Sequence, residues 1–338
     1  MKEIRDNARQ MMETFCKVCP ICNGKACAGQ VPGMGGLGSG SSFSNNVTAL
    51  TKIKFNMRLI HDVTEPDTTV TILGKKLALP LLAAPIGGVS FNMGGGVSEE
   101  DYTQSIINGC QSKGIIGCSG DGVPDFIHQA GFNAIKSADG HGIPFIKPWE
   151  DEELFKKIDA ARETGTDIIG MDIDAAGLIT LRKMGRPVSP KSLEKLTEII
   201  HRTSMKFILK GVMTPDEAEL AITAGADAIV VSNHGGRVLD HAPGAADVLA
   251  DIAERVKGRT TILADGGVRT GGDILKMLAL GADAVMVGRP FSVAAVGGLQ
   301  PGVETYIDTL LTELKQTMVL TGTKSASTVN QKILFSAN

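Results

Sequence analysis

The sequence predicts an α/β protein: a (β/α)8 TIM barrel that carries an N-terminal extension with a group of cysteines. From Leu81 onward, short apolar runs alternate with segments of helical periodicity, and there are eight such units. Repeated βα units require right-handed crossovers and a parallel sheet, and eight of them close into a barrel with helices outside. We therefore expect an extension over residues 1–64 and a barrel over residues 65–338.

Each predicted strand is a short apolar run. In order they are Leu81–Pro85, Gly114–Cys118, Pro144–Lys147, Asp167–Asp174, Lys206–Gly211, Ala228–Asn233, Thr261–Asp265 and Ala284–Gly288. Helix starts support the register, because Thr214 is a suitable N-cap, Pro215 suits the first helical position and Glu217 completes a capping box. The pair Ser189-Pro190 predicts another helix start of this kind.

The first 64 residues do not follow the repeat. They begin with a polar helix, continue through four cysteines between Cys16 and Cys27, and enter a glycine- and serine-rich stretch from Gly33 to Ser44. We expect that stretch to be a mobile loop unless something binds it. The segment Val70–Leu79 predicts a hairpin that closes the N-terminal end of the barrel.

Composition excludes several classes of protein. The chain has 43% hydrophobic residues, 41 glycines and 4% aromatic residues, which is typical of a globular α/β enzyme. A net charge of −3 with both signs interspersed argues against nucleic-acid binding and against a polybasic membrane surface. The charged N-terminus and the lack of a long apolar run predict a cytoplasmic protein without a signal peptide or membrane span.

The segment Ser232–Asp240 follows the sixth predicted strand and places His234 three residues before Arg237. Active-site loops of parallel α/β barrels follow the strands in this way. A base beside a fixed cation is suited to deprotonating a small anionic substrate and holding its carboxylate. The alternative is a structural histidine whose hydrogen bonds are satisfied.

Glycines and arginines follow the last two predicted strands. Asp265-Gly266-Gly267-Val268-Arg269 ends the seventh, and Gly288-Arg289 ends the eighth. Glycines let backbone amides approach an anion, and arginines offer bidentate contacts. This position is the usual phosphate site of barrel enzymes, so we expect a phosphate there; simple turns with surface arginines are the alternative.

Charged side chains also end the fourth and fifth predicted strands. Lys210 points an ammonium into the barrel mouth, where it would stabilise a negatively charged cofactor ring, form a Schiff base with a carbonyl substrate, or serve in a structural ion pair. Asp172 and Asp174 share one face of their strand by alternation. One of them could orient His234; two solvated carboxylates are the alternative.

Four cysteines stand close together in the pattern Cys16-x2-Cys19-x2-Cys22-x4-Cys27. Four thiolates at such spacing can bind zinc or an iron–sulfur cluster. A redox-active thiol set and an inert group of cysteines are the other interpretations.

From His61 to Pro290 the motifs above occur in an order that is specific. On them the chain resembles the FMN-dependent 2-hydroxy-acid oxidases and dehydrogenases, such as glycolate oxidase and lactate oxidase. The resemblance implies FMN as cofactor, oxidation of a small (S)-2-hydroxy acid to the 2-oxo acid, and a homotetramer.

The resemblance also implies roles for individual residues. His234 would be the base, Asp174 its partner, Arg237 the clamp on the substrate carboxylate, and Lys210 the cation at the flavin N1/O2 edge. The remaining cofactor contacts would be Ser232 on the ring, Pro85, Ile86 and Gly87 along it, Ser119, Lys147 and Asp172 near the isoalloxazine, and Asp265, Gly266, Gly267, Arg269, Gly288 and Arg289 around the phosphate.

The chain departs from this family in the substrate pocket. Relatives carry two substrate-facing tyrosines, whereas Tyr102 and Tyr306 lie elsewhere in the chain; Trp149 is expected to replace one tyrosine, and the other position falls near Cys27. Asp172 stands where a neutral hydroxyl is usual. The loop from Gly177 to Ser189 is also short for the family.

These departures leave other functions open. One is a dehydrogenase that passes electrons through an N-terminal metal or iron–sulfur centre to a partner. Another is a flavin-dependent isomerase similar to type 2 isopentenyl diphosphate isomerase, although the His-Gly-Gly-Arg segment argues against it. A third is a flavin or metal sensor without catalytic activity.

Overall fold

A computed structural model of the chain describes residues 1–178, 181 and 184–335. Eight parallel strands form a closed barrel in which consecutive strands are neighbours and the last pairs with the first, so the predicted fold class is confirmed. The barrel strands are β3 (Leu81–Ile86), β4 (Ile116–Ser119), β5 (Ile143–Ile146), β6 (Ile168–Asp172), β7 (Lys206–Val212), β8 (Ala228–Val231), β9 (Thr261–Ala264) and β10 (Ala284–Val287).

Helices surround the barrel and extend its N-terminal side. They are α1 (Lys2–Met11), α2 (Ser41–Lys52), α3 (Val89–Asn92), α4 (Glu99–Ser112), α5 (Asp125–Ser137), α6 (Asp151–Arg162), α7 (Leu193–Arg202), α8 (Pro215–Thr223), α9 (Ala245–Val256), α10 (Gly271–Ala279) and α11 (Arg289–Thr321). The N-terminal α1 packs on α11 at Gly297, where a side chain would collide with the carbonyl oxygen of Ile4. None of the described helices has the length and hydropathy needed to cross a bilayer.

Two predicted strands are two residues too long at their C-terminal ends. The ladder between β6 and β7 ends at the pair Asp172–Lys210, and Ile173–Gly177 turns into a 3-10 helix that contains Asp174. Likewise β8 ends at Val231, and His234–Gly236 form a 3-10 turn. The chain leaves the sheet at these points because the polar groups that follow bond to side chains of neighbouring loops.

One predicted helix start is confirmed and the other is wrong. The Thr214 hydroxyl accepts a hydrogen bond from the Glu217 amide at the start of α8, as expected. The predicted start at Ser189-Pro190 is wrong, because α7 begins at Leu193 and its N-cap is Ser192, which accepts from the Lys195 amide at 3.2 Å.

The hairpin before the barrel is confirmed. Strands β1 (Val70–Ile72) and β2 (Lys75–Leu77) pair antiparallel. Lys75 forms an ion pair of 2.7 Å with Asp167, just before β6, and the Lys206 ammonium at the start of β7 donates to the Leu73 carbonyl at 2.7 Å. The hairpin therefore covers the N-terminal end of the barrel, opposite the ends that carry the polar motifs.

The glycine- and serine-rich stretch is not one loop from Gly33 to Ser44. Ser41–Ser44 form the first turn of α2, and this part of the prediction is wrong. The preceding residues lie on the barrel mouth, where the Leu37 amide donates to the Gly236 carbonyl at 2.8 Å. The stretch thus covers the end of the barrel at which the polar motifs meet.

A buried ion pair ties the loop after β4 to α6. The Lys157 ammonium lies 2.6 Å from Asp121 Oδ1, with both side chains almost fully buried. Burial by itself would raise the pKa of Asp121, but the charges of Lys157 and Lys147 outweigh it and hold the pKa below its ordinary value. The carboxylate is therefore ionised in the fold.

We expect Asp121→Asn to lower the free energy of unfolding by about 3 kcal/mol, because the substitution leaves a buried ammonium partly uncompensated. This loss is at the lower end of the range for breaking a buried ion pair, because Glu153 remains 3.2 Å from the Lys157 ammonium. Urea unfolding measures the loss. The matched control is Asp308→Asn, whose carboxylate pairs with Lys113 at the surface and should cost less than about 1 kcal/mol.

The pH dependence of this difference has a defined sign. A carboxyl with a lowered folded pKa stabilises fully above its unfolded pKa of about 4, and the stabilisation is lost as pH falls through the folded value. Wild type and Asp121→Asn should therefore converge in stability as the pH falls below about 4. A difference that stayed constant into acid would contradict the assignment.

Candidate active site

His234 lies at the centre of the barrel mouth, immediately after β8. Its φ of +57° is in the left-handed region, a strained conformation that a β-carbon disfavours. The Ser232 hydroxyl accepts the His234 amide at 3.0 Å, and Asn233 Oδ1 accepts the Gly236 amide at 3.0 Å. These side-chain bonds hold the strained turn in place, and such strain is commonly found at functional sites.

The imidazole is oriented by a carboxylate. His234 Nδ1 lies 2.9 Å from Asp174 Oδ1, so Nε2 is the ring nitrogen left for a substrate. Burial would raise the pKa of Asp174, but the charges of His234 and Lys210 outweigh it and lower the pKa. The carboxylate is thus ionised and orients the imidazole, as the sequence predicted for one of the two aspartates.

Lys210 is buried among three carboxylates. Its ammonium lies 3.0 Å from Asp172 Oδ1 and 4.0 Å from Asp265 Oδ2, and it is 3.5 Å from His234 Nδ1. Burial would lower the pKa of Lys210, but Asp172, Asp174 and Asp265 together raise it above its ordinary value. A Schiff base requires a neutral amine, so these surroundings favour a permanently charged lysine.

The charge of Asp172 is compensated by its ion pair with Lys210, whereas the Asp174 carboxylate lies against the His234 imidazole. Asp172, Asp174 and His234 also have ligand atoms within 4.8 Å of one another, as in a metal site. The Lys210 ammonium beside them would repel a cation.

Three arginines, Arg237, Arg269 and Arg289, also line the barrel mouth. Arg237 donates to the carbonyls of Gly33 at 2.6 Å and Gly35 at 3.1 Å, and to Asn92 Oδ1 at 2.9 Å. Arg289 donates to the carbonyls of Met34 at 2.7 Å and of Gly35 and Gly235 at 3.0 Å. Their partners are therefore neutral groups of neighbouring loops.

The positive charge of these arginines is not balanced. Burial first, and then the charges of Arg237 and Arg269, lower the pKa of Arg289 to about 9. Burial also lowers the pKa of Arg237. None of the three guanidinium groups forms an ion pair with a described carboxylate, so this side of the mouth is prepared for anions.

A cavity of about 400 Å³ joins the two sides, a volume within the range of cofactor sites. Most of the residues predicted to bind or react line it: Pro85, Ile86, Gly87, Lys147, Asp172, Lys210, His234, Arg237, Asp265, Gly266, Gly267, Arg269, Gly288 and Arg289. Ser232 and Asp174 lie behind His234 and contact it directly. Ser119 is buried at the end of β4.

Several buried polar atoms at this end of the barrel have no hydrogen-bond partner in the part of the chain that the structure describes. They include Ser119 Oγ, Asp265 Oδ1 and Arg269 Nε. Buried polar atoms in native proteins are nearly always paired, so these atoms point to a polar molecule that binds here. Gly266 and Gly267 line the same cavity with φ of +95° and +83°, and their lack of a β-carbon lets them pack closely against Asn46 of α2.

A family of proteins described as FMN-dependent dehydrogenases matches residues 33–186 and 179–336. The chain belongs to this family. It is 31% identical to an L-lactate oxidase of Lysinibacillus sphaericus, over 90% of each chain, and 30% identical to a glycolate oxidase of Spinacia oleracea, over 86% of each. A crystal structure of mandelate oxidase superimposes with a TM-score of 0.79 at 26% identity, covering 99% of this chain and 97% of that one.

The site fits the cofactor of the FMN-dependent dehydrogenases. The unbalanced arginines and the two positive-φ glycines suit a phosphate, the buried Lys210 suits the electron-rich edge of a flavin, and the unpartnered polar atoms suit its polar ring edge. The family thus confirms FMN as the cofactor and an oxidoreductase activity.

Trp149 does not replace a substrate-facing tyrosine in this FMN-dependent dehydrogenase. Its ring is fully buried, and the indole N–H donates to Asp121 Oδ2 at 2.6 Å, behind the loop after β4. An indole that pairs with a buried carboxylate cannot also present its N–H to the cavity. That part of the sequence interpretation is therefore wrong.

Sequence reasoning missed the upper wall of the cavity. This wall is apolar and comes from separate loops: Val31, Pro32, Phe91, Val123, Ile127, Leu178, Leu181 and Met184 line it. Residues 179, 180, 182 and 183 of the predicted short loop lie outside the described part of the chain. Asn92, which holds Arg237, was also missed, because a lone asparagine in a short helix gives no signal in the sequence.

The N-terminal cysteines are not arranged for zinc. All four are free and half-buried, and no three of their sulfurs lie within 4.8 Å of one another among the described residues. Zinc holds four thiolates at about 2.3 Å, which places the sulfurs about 3.8 Å apart.

Proposed function

We propose that this chain uses FMN to oxidise a small (S)-2-hydroxy acid to its 2-oxo acid. The single observation that carries the proposal is the shared cavity, which presents the His234–Asp174 pair and Arg237 to one space. The relatives support it, since the curated proteins most similar to the chain include a 2-hydroxyacid oxidase and L-lactate oxidases.

FMN supplies the electron acceptor when it is bound. In the proposed arrangement Lys210 would stabilise negative charge on the ring, and Ser232 would contact the ring. The other residues proposed to hold the cofactor are Pro85, Ile86 and Gly87 for the ring, Ser119, Lys147 and Asp172 for its polar edge, and Asp265, Gly266, Gly267, Arg269, Gly288 and Arg289 for the phosphate; all of these except Ser119 line the cavity.

We assign the base to His234. Its free Nε2 takes a proton from the substrate, while Asp174 holds the ring through Nδ1 and stabilises the positive charge that forms. The strained turn at His234 and the hydrogen bond from its amide to Ser232 fix the imidazole before substrate arrives. Proton removal by His234 is common to a hydride transfer and to a carbanion mechanism.

Arg237 is the proposed clamp on the substrate carboxylate. Asn92, Gly33 and Gly35 hold its guanidinium from the outer side, so its plane is fixed. Holding the carboxylate places the substrate hydroxyl against His234, which converts a chance encounter into an oriented one. The apolar wall that includes Phe91, Leu178 and Met184 would then surround the substrate side chain.

Anaerobic titration of the FMN-loaded protein with 2-hydroxy acids tests this function. We expect stoichiometric bleaching of the flavin, and tighter binding of lactate and of larger apolar acids than of glycolate, because the upper wall is apolar. An isomerase of the isopentenyl diphosphate type would show no net reduction by its substrate. A flavin that stayed oxidised with every acid would contradict the proposal.

Two further parts of the sequence prediction stay proposals. Six free cysteines suit a reducing compartment, and we keep the cytoplasm as the proposed location. A homotetramer is implied by the resemblance alone. The electron acceptor is dioxygen in an oxidase or a redox partner in a dehydrogenase.

A further inference from the structure

We propose that Cys16, Cys19, Cys22 and Cys27 bind a [4Fe–4S] cluster, which carries electrons from the reduced flavin to an external one-electron carrier protein. The binding of the cluster stands on the cysteine loop alone. The source of its electrons rests on the proposed function. The four cysteines are called the cysteine loop below, together with the residues between them.

The cysteine loop is held in a defined shape. Arginines of α1 bind its backbone: Arg5 donates to the Cys19 carbonyl at 2.6 Å, and Arg9 donates to the Val18 carbonyl at 3.1 Å. Val18 has a φ of +42°, which a β-branched residue adopts only when its surroundings impose it. The loop is therefore shaped by long-range contacts rather than by local preference.

In this shape the four thiols are near one another and none of them forms a disulfide. All are free, and Cys19, Cys22 and Cys27 are each close enough to Cys16 to interact with it electrostatically. The Val18 amide approaches Cys16 Sγ at 3.4 Å. Backbone N–H groups that donate to cysteine sulfur are a usual feature of iron–sulfur sites, where they tune the potential.

The sulfurs do not lie as close together as a single zinc ion requires. Zinc would need all four sulfurs about 3.8 Å apart. In the cysteine loop no three described sulfurs lie within 4.8 Å of one another. A cubane cluster binds each thiolate through a different iron atom and therefore needs its cysteines farther apart. The x2, x2 spacing of Cys16, Cys19 and Cys22 matches the first three cysteines of a bacterial ferredoxin run, which bind one cluster.

The cysteine loop adjoins the cavity. Arg269, which lines the cavity, places Nη2 3.6 Å from Cys22 Sγ. Cys22 and Cys27 are also near enough to Arg289 to interact with its charge, and Cys27 acts on Arg237 in the same way. A cluster with four thiolates is anionic, so these arginines would stabilise it and raise its reduction potential.

Electrons and protons balance in this scheme. Oxidation of one 2-hydroxy acid releases two electrons and two protons, and the electrons reach the bound FMN. The cluster then takes one electron at a time and passes it to a carrier protein, so two oxidised carriers are reduced in each turnover. Both protons leave to solvent, one of them by way of His234.

Metal analysis of protein purified without oxygen tests the cluster directly. We expect about four iron and four acid-labile sulfide per chain, and an electron paramagnetic resonance signal after reduction with dithionite. Cys19→Ser should lose iron, sulfide and signal but keep FMN. The matched control is Cys110→Ala, because Cys110 is buried in α4 outside the loop and its loss should leave the iron content unchanged.

Other results would overturn the inference. The cluster would be excluded if the protein contained zinc in place of iron. It would also be excluded if wild type lacked iron even after reconstitution with ferrous iron and sulfide, and its four thiols reacted with a thiol reagent. These measurements need no variant, so a misfolded Cys19→Ser protein would not obscure them.

Addition of a 2-hydroxy acid separates the two proposals. If the flavin is reduced and the cluster signal appears, both hold; if the flavin is reduced but iron is absent, only the cluster fails. If iron and sulfide are present but the flavin stays oxidised with every acid, the proposed function fails and the cluster stands. A cluster that stays oxidised beside a reduced flavin would exclude the electron route.

Discussion

Replacement of His234 by alanine is expected to slow flavin reduction by about 10²–10⁴-fold, because the substrate loses its proton acceptor. FMN should remain bound, since the phosphate side of the cavity, with Arg269 and Arg289, does not depend on the imidazole. Anaerobic stopped-flow measurement of flavin bleaching gives the rate, and the absorbance of the purified protein gives the FMN content.

The control for this variant is His201→Ala. His201 is an exposed residue of α7 and its ring bonds only to the Thr197 carbonyl among the described residues, so its loss should leave the bleaching rate unchanged. Asp174→Asn provides a second reading, because it keeps His234 but removes the charge that stabilises its protonated form. Full activity of His234→Ala would refute the assignment of the base.

Replacement of Arg237 by lysine should raise KM and lower kcat together, with a loss of about 10²-fold in kcat/KM. Lysine keeps the charge but not the planar fork that binds a carboxylate through two N–H groups. Lysine also has three N–H donors where arginine has five, so bonding to Gly33, Gly35 and Asn92 would leave none for the substrate carboxylate.

Competitive inhibition separates this role from a structural one. A 2-oxo acid product should bind wild type and be much weaker against Arg237→Lys, whereas an uncharged analogue of the substrate should be affected little. Arg255→Lys is the matched control, because Arg255 pairs with Glu219 at the exposed surface of α9. An unchanged KM in Arg237→Lys would show that the carboxylate binds elsewhere.

Local patterns accounted for the barrel and for one side of the site. The apolar runs occur in order along the chain, and Lys210, Asp265 and His234 lie at or just after the ends of such runs. A parallel barrel brings the ends of its strands to one mouth. The same reasoning overextended β6 and β8, since an alternating pattern does not show where the last ladder bond lies.

Contacts between residues far apart in the sequence could not be predicted from local patterns. Trp149 was assigned to the substrate pocket from its position in the sequence, but the buried charge of Asp121 draws the indole to the opposite side of its loop. The sequence indicated an added negative charge at Asp172, but its carboxylate forms an ion pair with Lys210. The division at residue 64 remains a prediction.

The sequence by itself determined the eight strands, the motif that carries His234 and Arg237, and the glycine–arginine turns for a phosphate, because each is written within a few consecutive residues. Only the tertiary structure decided what surrounds them: the apolar upper wall, the fixing of Arg237 by Gly33, Gly35 and Asn92, and the approach of Cys22 to Arg269. Those contacts join residues separated by 145 to 247 positions, and no local pattern specifies which distant groups the closed barrel will bring together.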